Sequence, residues 1–132
     1  MKLYKAIINA DGASRGNPGP AAIGAILKDE QGKLIAQISQ SIGRTTNNQA
    51  EYRAVIAALE EALKLGVKQI ELNADSELLV KQLNGKYRVK NAALKPLYQR
   101  VKQLQSSLES LTISHVPREQ NREADLLANM AL

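Results

Sequence analysis

The sequence of 132 residues contains no cysteine, no tryptophan and no phenylalanine, and its one histidine is His115. Without cysteine the chain cannot form a disulfide, a cysteine-ligated zinc site or a thiol nucleophile, and this absence fits a reducing compartment. A single histidine excludes a metal centre built from several histidines. Because four tyrosines are its only large aromatic residues, the chain is poorly suited to binding nucleic acid by stacking bases on aromatic side chains.

Long apolar segments are also missing from the sequence. The longest uncharged apolar run covers residues 21–27, whereas a helix that crosses a bilayer needs about 20 such residues. At the N-terminus the chain reaches Asp11 before the apolar core of a secretory signal can form. We therefore expect a soluble, cytoplasmic domain with no membrane partner.

The composition that is present is that of a globular domain. Hydrophobic residues make up 44% and charged residues 23% of the chain, which is enough apolar material for one domain over 1–132. Lysine and arginine number 18 against 13 acids, giving a net charge of +5. The segment 78–108 contains no acid and seven bases, namely Lys81, Lys86, Arg88, Lys90, Lys95, Arg100 and Lys102. Such a basic segment is compatible with a solvated surface and with a polyanionic partner.

The pattern of apolar and turn-forming residues predicts the element order β-β-β-α-β-α-α-β-α. Strands are predicted at 3–10, 21–28, 33–42, 69–74 and 111–116, with a turn-forming segment over 12–20. A long helix is predicted from an N-cap among residues 45–48 to Leu65, a short helix from a cap at Ser76 to Leu83, and two further helices at 92–108 and 119–131. An antiparallel meander followed by alternating helices and strands indicates an α/β fold, with helices packed on a mixed sheet.

Four acids occupy positions that favour a shared site. Asp11 and Asp75 each end an apolar strand, and Glu51 lies in the first turn of the long helix. Asp125 lies in the body of the last helix, beside its apolar face. Taken singly, Asp11 and Asp75 are explained as turn residues and Glu51 as a capping or macrodipole residue.

Together the four acids predict a cation site. Folding can bring the ends of the two strands together with both helices, and close carboxylates repel one another unless cations bind among them. Oxygen ligands without cysteine or histidine favour a hard ion such as Mg²⁺ or Mn²⁺ over zinc. Two such ions could share the four acids and act on a phosphodiester.

Four motifs together resemble type 1 ribonuclease H over essentially the whole chain. Residues 11–20 read DGASRGNPGP, residues 46–51 read TNNQAE and residues 74–76 read ADS, and His115 precedes Asp125 by ten residues. The resemblance implies the α/β ribonuclease H-like fold, a five-stranded mixed sheet of order 3-2-1-4-5 flanked by helices. The connection 84–91 is short, which is typical of the compact subgroup without a basic protrusion.

The resemblance implies a metal-dependent endonuclease that hydrolyses the RNA strand of RNA–DNA hybrids and leaves 5′-phosphate and 3′-hydroxyl ends. It implies two Mg²⁺ ions bound with substrate, for which Mn²⁺ substitutes. Asp11 would bridge both ions, Glu51 and Asp75 would hold the ion on the leaving-group side, and Asp125 would hold the ion that activates water. His115 would lie on a mobile loop, where it moves protons or releases product. The alternative for His115 is a surface residue at the end of a strand.

Substrate contacts are implied in the same way. The RNA strand would approach the backbone near Gly12, Ser14, Gly16 and Asn17, since glycine has no Cβ to block it. Asn47 and Asn48 would contact both strands in the minor groove. Thr46 would bind a phosphate of the DNA strand at a helix N-terminus.

Some features depart from the family and leave alternatives open. Glu77 stands where many members carry glutamine, so double-stranded RNA remains a candidate substrate beside the hybrid. A monomer is expected. Two other functions remain: a non-catalytic nucleic-acid-binding module on this fold, or another nuclease of it, such as a resolvase or an exonuclease. The four acids argue against the first, and the Gly-rich loop and the Thr-Asn-Asn motif argue against the second.

Overall fold

Five strands form one mixed sheet in residues 3–132, the part of the chain that the computed structural model describes. The strands are β1 Lys5–Ser14, β2 Gly19–Lys28, β3 Leu34–Thr45, β4 Gln69–Ala74 and β5 Ser110–His115. Their order across the sheet is β3-β2-β1-β4-β5, as the resemblance implied. The first three strands pair antiparallel, whereas β4 runs parallel to both β1 and β5.

Four helices complete the fold: α1 Asn47–Lys64, α2 Glu77–Leu83, α3 Lys95–Gln105 and α4 Arg122–Met130. Of the four candidate N-cap residues at 45–48, Thr46 caps the long helix, because its hydroxyl accepts a hydrogen bond from the Gln49 N–H at 3.2 Å. It ends before Gly66, whose φ of +86° reverses the chain without a steric penalty. None of the helices in 3–132 is both long enough and apolar enough to cross a membrane.

Helices cover both faces of the sheet. Ile23 and Ala25 of β2 belong to the core beneath α1, together with the fully buried Tyr52 and Leu59. Gly24 lies between them, and a Cβ placed on it would meet the backbone of α4. Because successive strand residues point to opposite faces, α1 and α4 pack on opposite sides of the sheet.

Two glycines allow helices to approach the sheet closely. A Cβ on Gly12 would lie 2.2 Å from the carbonyl carbon of Ala50 in α1, and one on Gly24 would lie 2.2 Å from the carbonyl oxygen of Ala124 in α4. Any larger residue would push the helix away. The absence of a side chain at these two positions therefore sets how near Glu51 and Asp125 come to β1.

The predicted element boundaries were wrong in four places, one of them α3, which spans Lys95–Gln105 rather than 92–108. Residues 12–14 and 19–20 are strand rather than turn, since Gly12 pairs with Ile23 and Ser14 with Ala21, and these ladder bonds override the turn-forming composition. The third strand extends to Thr45. The last helix begins at Arg122, after a 3₁₀ turn over Arg118–Gln120, which places Asp125 in its first turn rather than its body.

Candidate active site

The register of the sheet brings two of the predicted acids together. Asn9 of β1 pairs with Asn73 of β4 in the parallel ladder. Two residues further along the chain from this pair stand Asp11, still within β1, and Asp75, one residue past the end of β4, where the parallel pairing of the two segments stops. Since both side chains follow the same alternation, they meet on one side of the sheet.

Helices α1 and α4 contribute the other two acids. Asp11, Glu51 and Asp75 each offer a carboxylate oxygen, and these oxygens all lie within 4.8 Å of one another. Asp125 lines the same cleft, which has a volume of about 480 Å³. The predicted convergence of four carboxylates is present, with three in a tight group and Asp125 beside Asp11.

Burial and mutual repulsion make this group of acids unusual. Asp11 is only 8% exposed, and its pKa is raised to about 8, first because burial disfavours the charged form and then because of Asp75, Asp125 and Glu51. Burial also raises the pKa of Glu51, although hydrogen bonds from Ser76 and Asn47 oppose the change. A cation in the cleft would remove this penalty, so the donor set fits a hard divalent ion.

Neutral amides contact three of the carboxylates. Asn47 donates to Glu51 at 3.1 Å, Asn129 donates to Asp125 at 3.1 Å and Asn121 donates to Asp75 at 3.3 Å. Sequence reasoning assigned only Asn47, and to substrate rather than to an acid. It missed Asn121, which stands just before α4, and Asn129, which lies about one turn after Asp125 on that helix.

The other predicted contact residues divide into two groups. Gly12, Ser14 and Asn47 line the cleft, as do two unpredicted bases, Arg15 and Arg118. The lining of the cleft does not include Gly16, Asn17, Thr46 or Asn48.

The turn that carries Gly16 and Asn17 is nonetheless attached to the start of α1. The Asn17 side-chain oxygen accepts a hydrogen bond from the Asn47 N–H at 3.1 Å. This contact fixes the tip of the β1–β2 hairpin against the helix that carries Glu51. The turn is therefore held in a fixed position relative to α1, and the two form one surface beside the cleft.

His115 does not lie on a loop, and that expectation was wrong. It is the last residue of β5 and pairs with Ala74, so the sheet fixes its backbone directly beside Asp75. Its side chain is exposed and does not line the cleft. The pKa of nearby Glu77 is lowered, first by its hydrogen bond with Lys81 and last by the charge of His115.

Comparison with known proteins identifies the family. A family model described as Reverse transcriptase-like matches residues 9–131, which include all four acids. The crystal structure of RNase H1 from the archaeon Halobacterium salinarum superposes with a TM-score of 0.94 at 46% sequence identity, covering 96% of each chain. The chain belongs to the ribonuclease H family.

Two further members of the ribonuclease H family are similar to this chain over most of its length. A curated ribonuclease HI of Halobacterium salinarum is 49% identical over 122 residues, which are 92% of this chain. The chain spans 61% of that protein's length. LC11-RNase H1, isolated from compost, has been solved in complex with an RNA/DNA hybrid and matches with a TM-score of 0.91 at 42% identity, covering 96% of this chain and 95% of that one. Divalent metal use is a property of the family, and the acidic cleft is this chain's candidate site for it.

Proposed function

We propose that this protein is an endoribonuclease that hydrolyses the RNA strand of RNA–DNA hybrids. The observation that carries the proposal is the group of carboxylate oxygens from Asp11, Glu51 and Asp75, all within 4.8 Å of one another in an open cleft. Such a group is unfavourable without bound cations. The hybrid bound by the similar LC11-RNase H1 supports the choice of substrate.

The ions proposed are two Mg²⁺ held with substrate by Asp11, Glu51, Asp75 and Asp125, for which Mn²⁺ substitutes. Only oxygen ligands are present in the cleft, and these suit hard ions. When bound, such ions supply an activated water and stabilise the leaving oxygen of a phosphodiester.

Each acid has a distinct proposed role. Asp11, the most buried, would contact both ions, with Glu51 and Asp75 on the leaving-group side and Asp125 on the side of the attacking water. The products would carry 5′-phosphate and 3′-hydroxyl ends. His115, fixed at the end of β5 beside the cleft, would exchange protons with the product side.

The surface around the cleft is proposed to hold the two strands. Gly12, Ser14, Gly16 and Asn17 lie along the hairpin that borders the cleft and would contact the RNA strand. Thr46, Asn47 and Asn48 begin α1, whose N-terminus favours a phosphate of the DNA strand. Recognition through 2′-hydroxyls and backbone shape would make base sequence unimportant.

The remaining parts of the proposal concern the whole chain. Residues 1–132 would act as one catalytic domain and as a monomer. The protein would act in the cytoplasm, and the absence of cysteine supports this reducing compartment. Glu77, the exposed first residue of α2 and two residues after Asp75, would leave some tolerance for double-stranded RNA.

A cleavage assay on four labelled substrates tests this function. With Mg²⁺ we expect cleavage of the RNA strand of a hybrid, slower cleavage of duplex RNA, and none of duplex DNA or a four-way junction. Glu51→Gln should abolish cleavage, and Glu61→Gln, further along the same helix, should retain it. Binding without cleavage would identify a non-catalytic module, and preferential cutting of the junction would identify a resolvase.

A further inference from the structure

One buried side chain outside the predicted set connects the elements that carry the acids. Asn121 is 1% exposed and stands immediately before α4. Asparagine at that position usually caps the helix by accepting a backbone N–H bond. Here the side chain makes no capping bond and points into the sheet instead, so a different requirement holds it there.

Both polar atoms of the Asn121 amide have hydrogen-bond partners. Its Nδ2 donates to the backbone oxygen of Ala10 at 3.0 Å and to Oδ2 of Asp75 at 3.3 Å. Its Oδ1 accepts from Nδ2 of Asn9 at 3.0 Å. Since a carbonyl and a carboxylate only accept hydrogen bonds, the NH₂ group must face Ala10 and Asp75, and the orientation of the amide is fixed by its partners.

The backbone of Asn121 reaches a further acid. Its carbonyl oxygen accepts the N–H of Asp125 at 3.1 Å. The residue therefore contacts Asp75 directly, the peptide unit preceding Asp11, and the turn of α4 that carries Asp125.

We propose that Asn121 is the positioning residue of the acidic cleft, setting Asp11, Asp75 and Asp125 at the separation that a divalent ion requires. A neutral amide suits this place because it holds one oxygen of Asp75 without adding charge. An acid there would add to the repulsion, and an apolar side chain would leave buried polar groups without partners. The inference rests on the proposed function for its reaction, but ion binding tests it separately.

Titration of the protein with Mn²⁺ alone, followed by the electron paramagnetic resonance of the free ion, measures the effect. Asn121→Ala should weaken Mn²⁺ binding about tenfold or more, the range found when groups that orient metal ligands are removed. Raising the Mg²⁺ concentration should restore much of its hybrid cleavage, while the KM for the hybrid stays near the wild-type value.

The matched control is Asn84→Ala. It also removes a bond from an asparagine amide to a backbone carbonyl, that of Ile113 at 3.0 Å, but at the far end of α2 from the acids. It should bind Mn²⁺ as the wild type does. Equal weakening in both variants would assign the effect to general destabilisation and overturn the proposal.

Asn9→Ala provides a milder variant if Asn121→Ala does not fold. It removes the partner of Oδ1 and a 3.3 Å hydrogen bond to the Gln120 carbonyl, but leaves the Asn121 bonds to Ala10 and Asp75, so it should weaken Mn²⁺ binding severalfold, less than loss of the whole amide. Wild-type Mn²⁺ affinity in Asn9→Ala and in any folded Asn121→Ala would overturn the inference. Failure of the wild type to cleave a hybrid, with Mn²⁺ binding still dependent on Asn121, would instead count against the proposed function alone.

Discussion

At the scale of single residues, Asp11 controls the electrostatics of the cleft. It is the most buried of the four acids and faces the other three, and its pKa is raised from an ordinary value of 3.8 to about 8. The unfolded chain releases this proton at much lower pH than the folded one. The metal-free folded state therefore holds a proton that the unfolded state has lost, throughout the interval between the two values.

The difference in proton binding between the folded and unfolded states makes the stability of the protein depend on pH. Because the folded state binds more protons between about pH 4 and pH 8, the stability of the metal-free protein should fall as pH rises through that interval. Each unit of a pKa difference corresponds to about 1.4 kcal/mol, so the loss amounts to several kcal/mol. Asp11→Asn should flatten the dependence and raise the melting temperature in EDTA at pH 8, while abolishing cleavage. Thermal melts from pH 5 to pH 8 measure this effect.

A wild-type melting temperature in EDTA that rises from pH 5 to pH 8 would contradict the burial of Asp11 among other acids. The same melts give a second comparison. Adding Mg²⁺ at pH 7 should stabilise the wild type, because the ion binds the folded state and displaces the proton. It should stabilise Asp11→Asn much less.

Some residues of the site could be predicted from the sequence, and others could not. Asp11 and Asp75 were predictable because each directly follows an apolar segment, although β1 continues to Ser14 and only its parallel pairing with β4 stops before Asp11. Asn121 was not, since its role depends on contacts with Asn9 and Asp75, which are 112 and 46 residues away in the chain. Its local surroundings indicate only a helix cap.

At the scale of elements, the site depends on how closely two helices approach the sheet. Gly12 admits the start of α1 and Gly24 admits α4, each within a distance that a methyl group would occupy. Turn composition around Gly12 predicted a loop, but the pairing of residues 12–14 with β2 extends the sheet and gives this glycine a packing role.

Gly24→Ala tests whether the close approach of α4 to the sheet governs the site. The added methyl would overlap the backbone of α4 and push away the helix that carries Asp125. Overpacking of this kind typically costs about 1–3 kcal/mol. We expect a lower melting temperature, together with kcat for hybrid cleavage reduced at least tenfold at a temperature where the variant is fully folded.

Gly66→Ala is the control for that variant. Gly66 has a φ of +86°, and a Cβ placed on it would have no atom within 4 Å, so alanine there costs about 1–2 kcal/mol through backbone strain alone. It should lose stability but keep kcat. If Gly24→Ala melts lower yet also keeps full kcat, the position of α4 does not govern the site.

At the scale of the whole molecule, an acidic cleft is joined to a basic segment. Helix α2 leads from Asp75 to a groove of about 590 Å³ whose lining includes Lys86, Arg88 and Lys95. Other bases of the segment are engaged, as Arg100 pairs with Glu60 and the Lys102 ammonium donates to a backbone carbonyl. The groove is the part of this segment best placed to contact a nucleic-acid backbone beyond the cleft.

Salt dependence tests this surface. Each phosphate contact contributes about 0.9 to the slope of log K against log salt for a DNA duplex. Replacing Lys86, Arg88 and Lys95 with glutamine should weaken hybrid binding and, if each contacts one phosphate, lower the slope by about 2.7, as measured by fluorescence anisotropy with Ca²⁺ in place of Mg²⁺. Lys33→Gln, in the β2–β3 turn, should change neither. An unchanged slope in the triple variant would place the substrate elsewhere.

The central claim is that folding gathers four carboxylates into one divalent-ion site. Anomalous diffraction from Mn²⁺-soaked crystals at pH 7 tests it most directly. We predict a strong peak within coordination distance of Asp11 and of at least two of Glu51, Asp75 and Asp125, and its loss in Asp11→Asn. A map with ordered side chains and no peak among them, or with peaks only at other acids, would contradict the account.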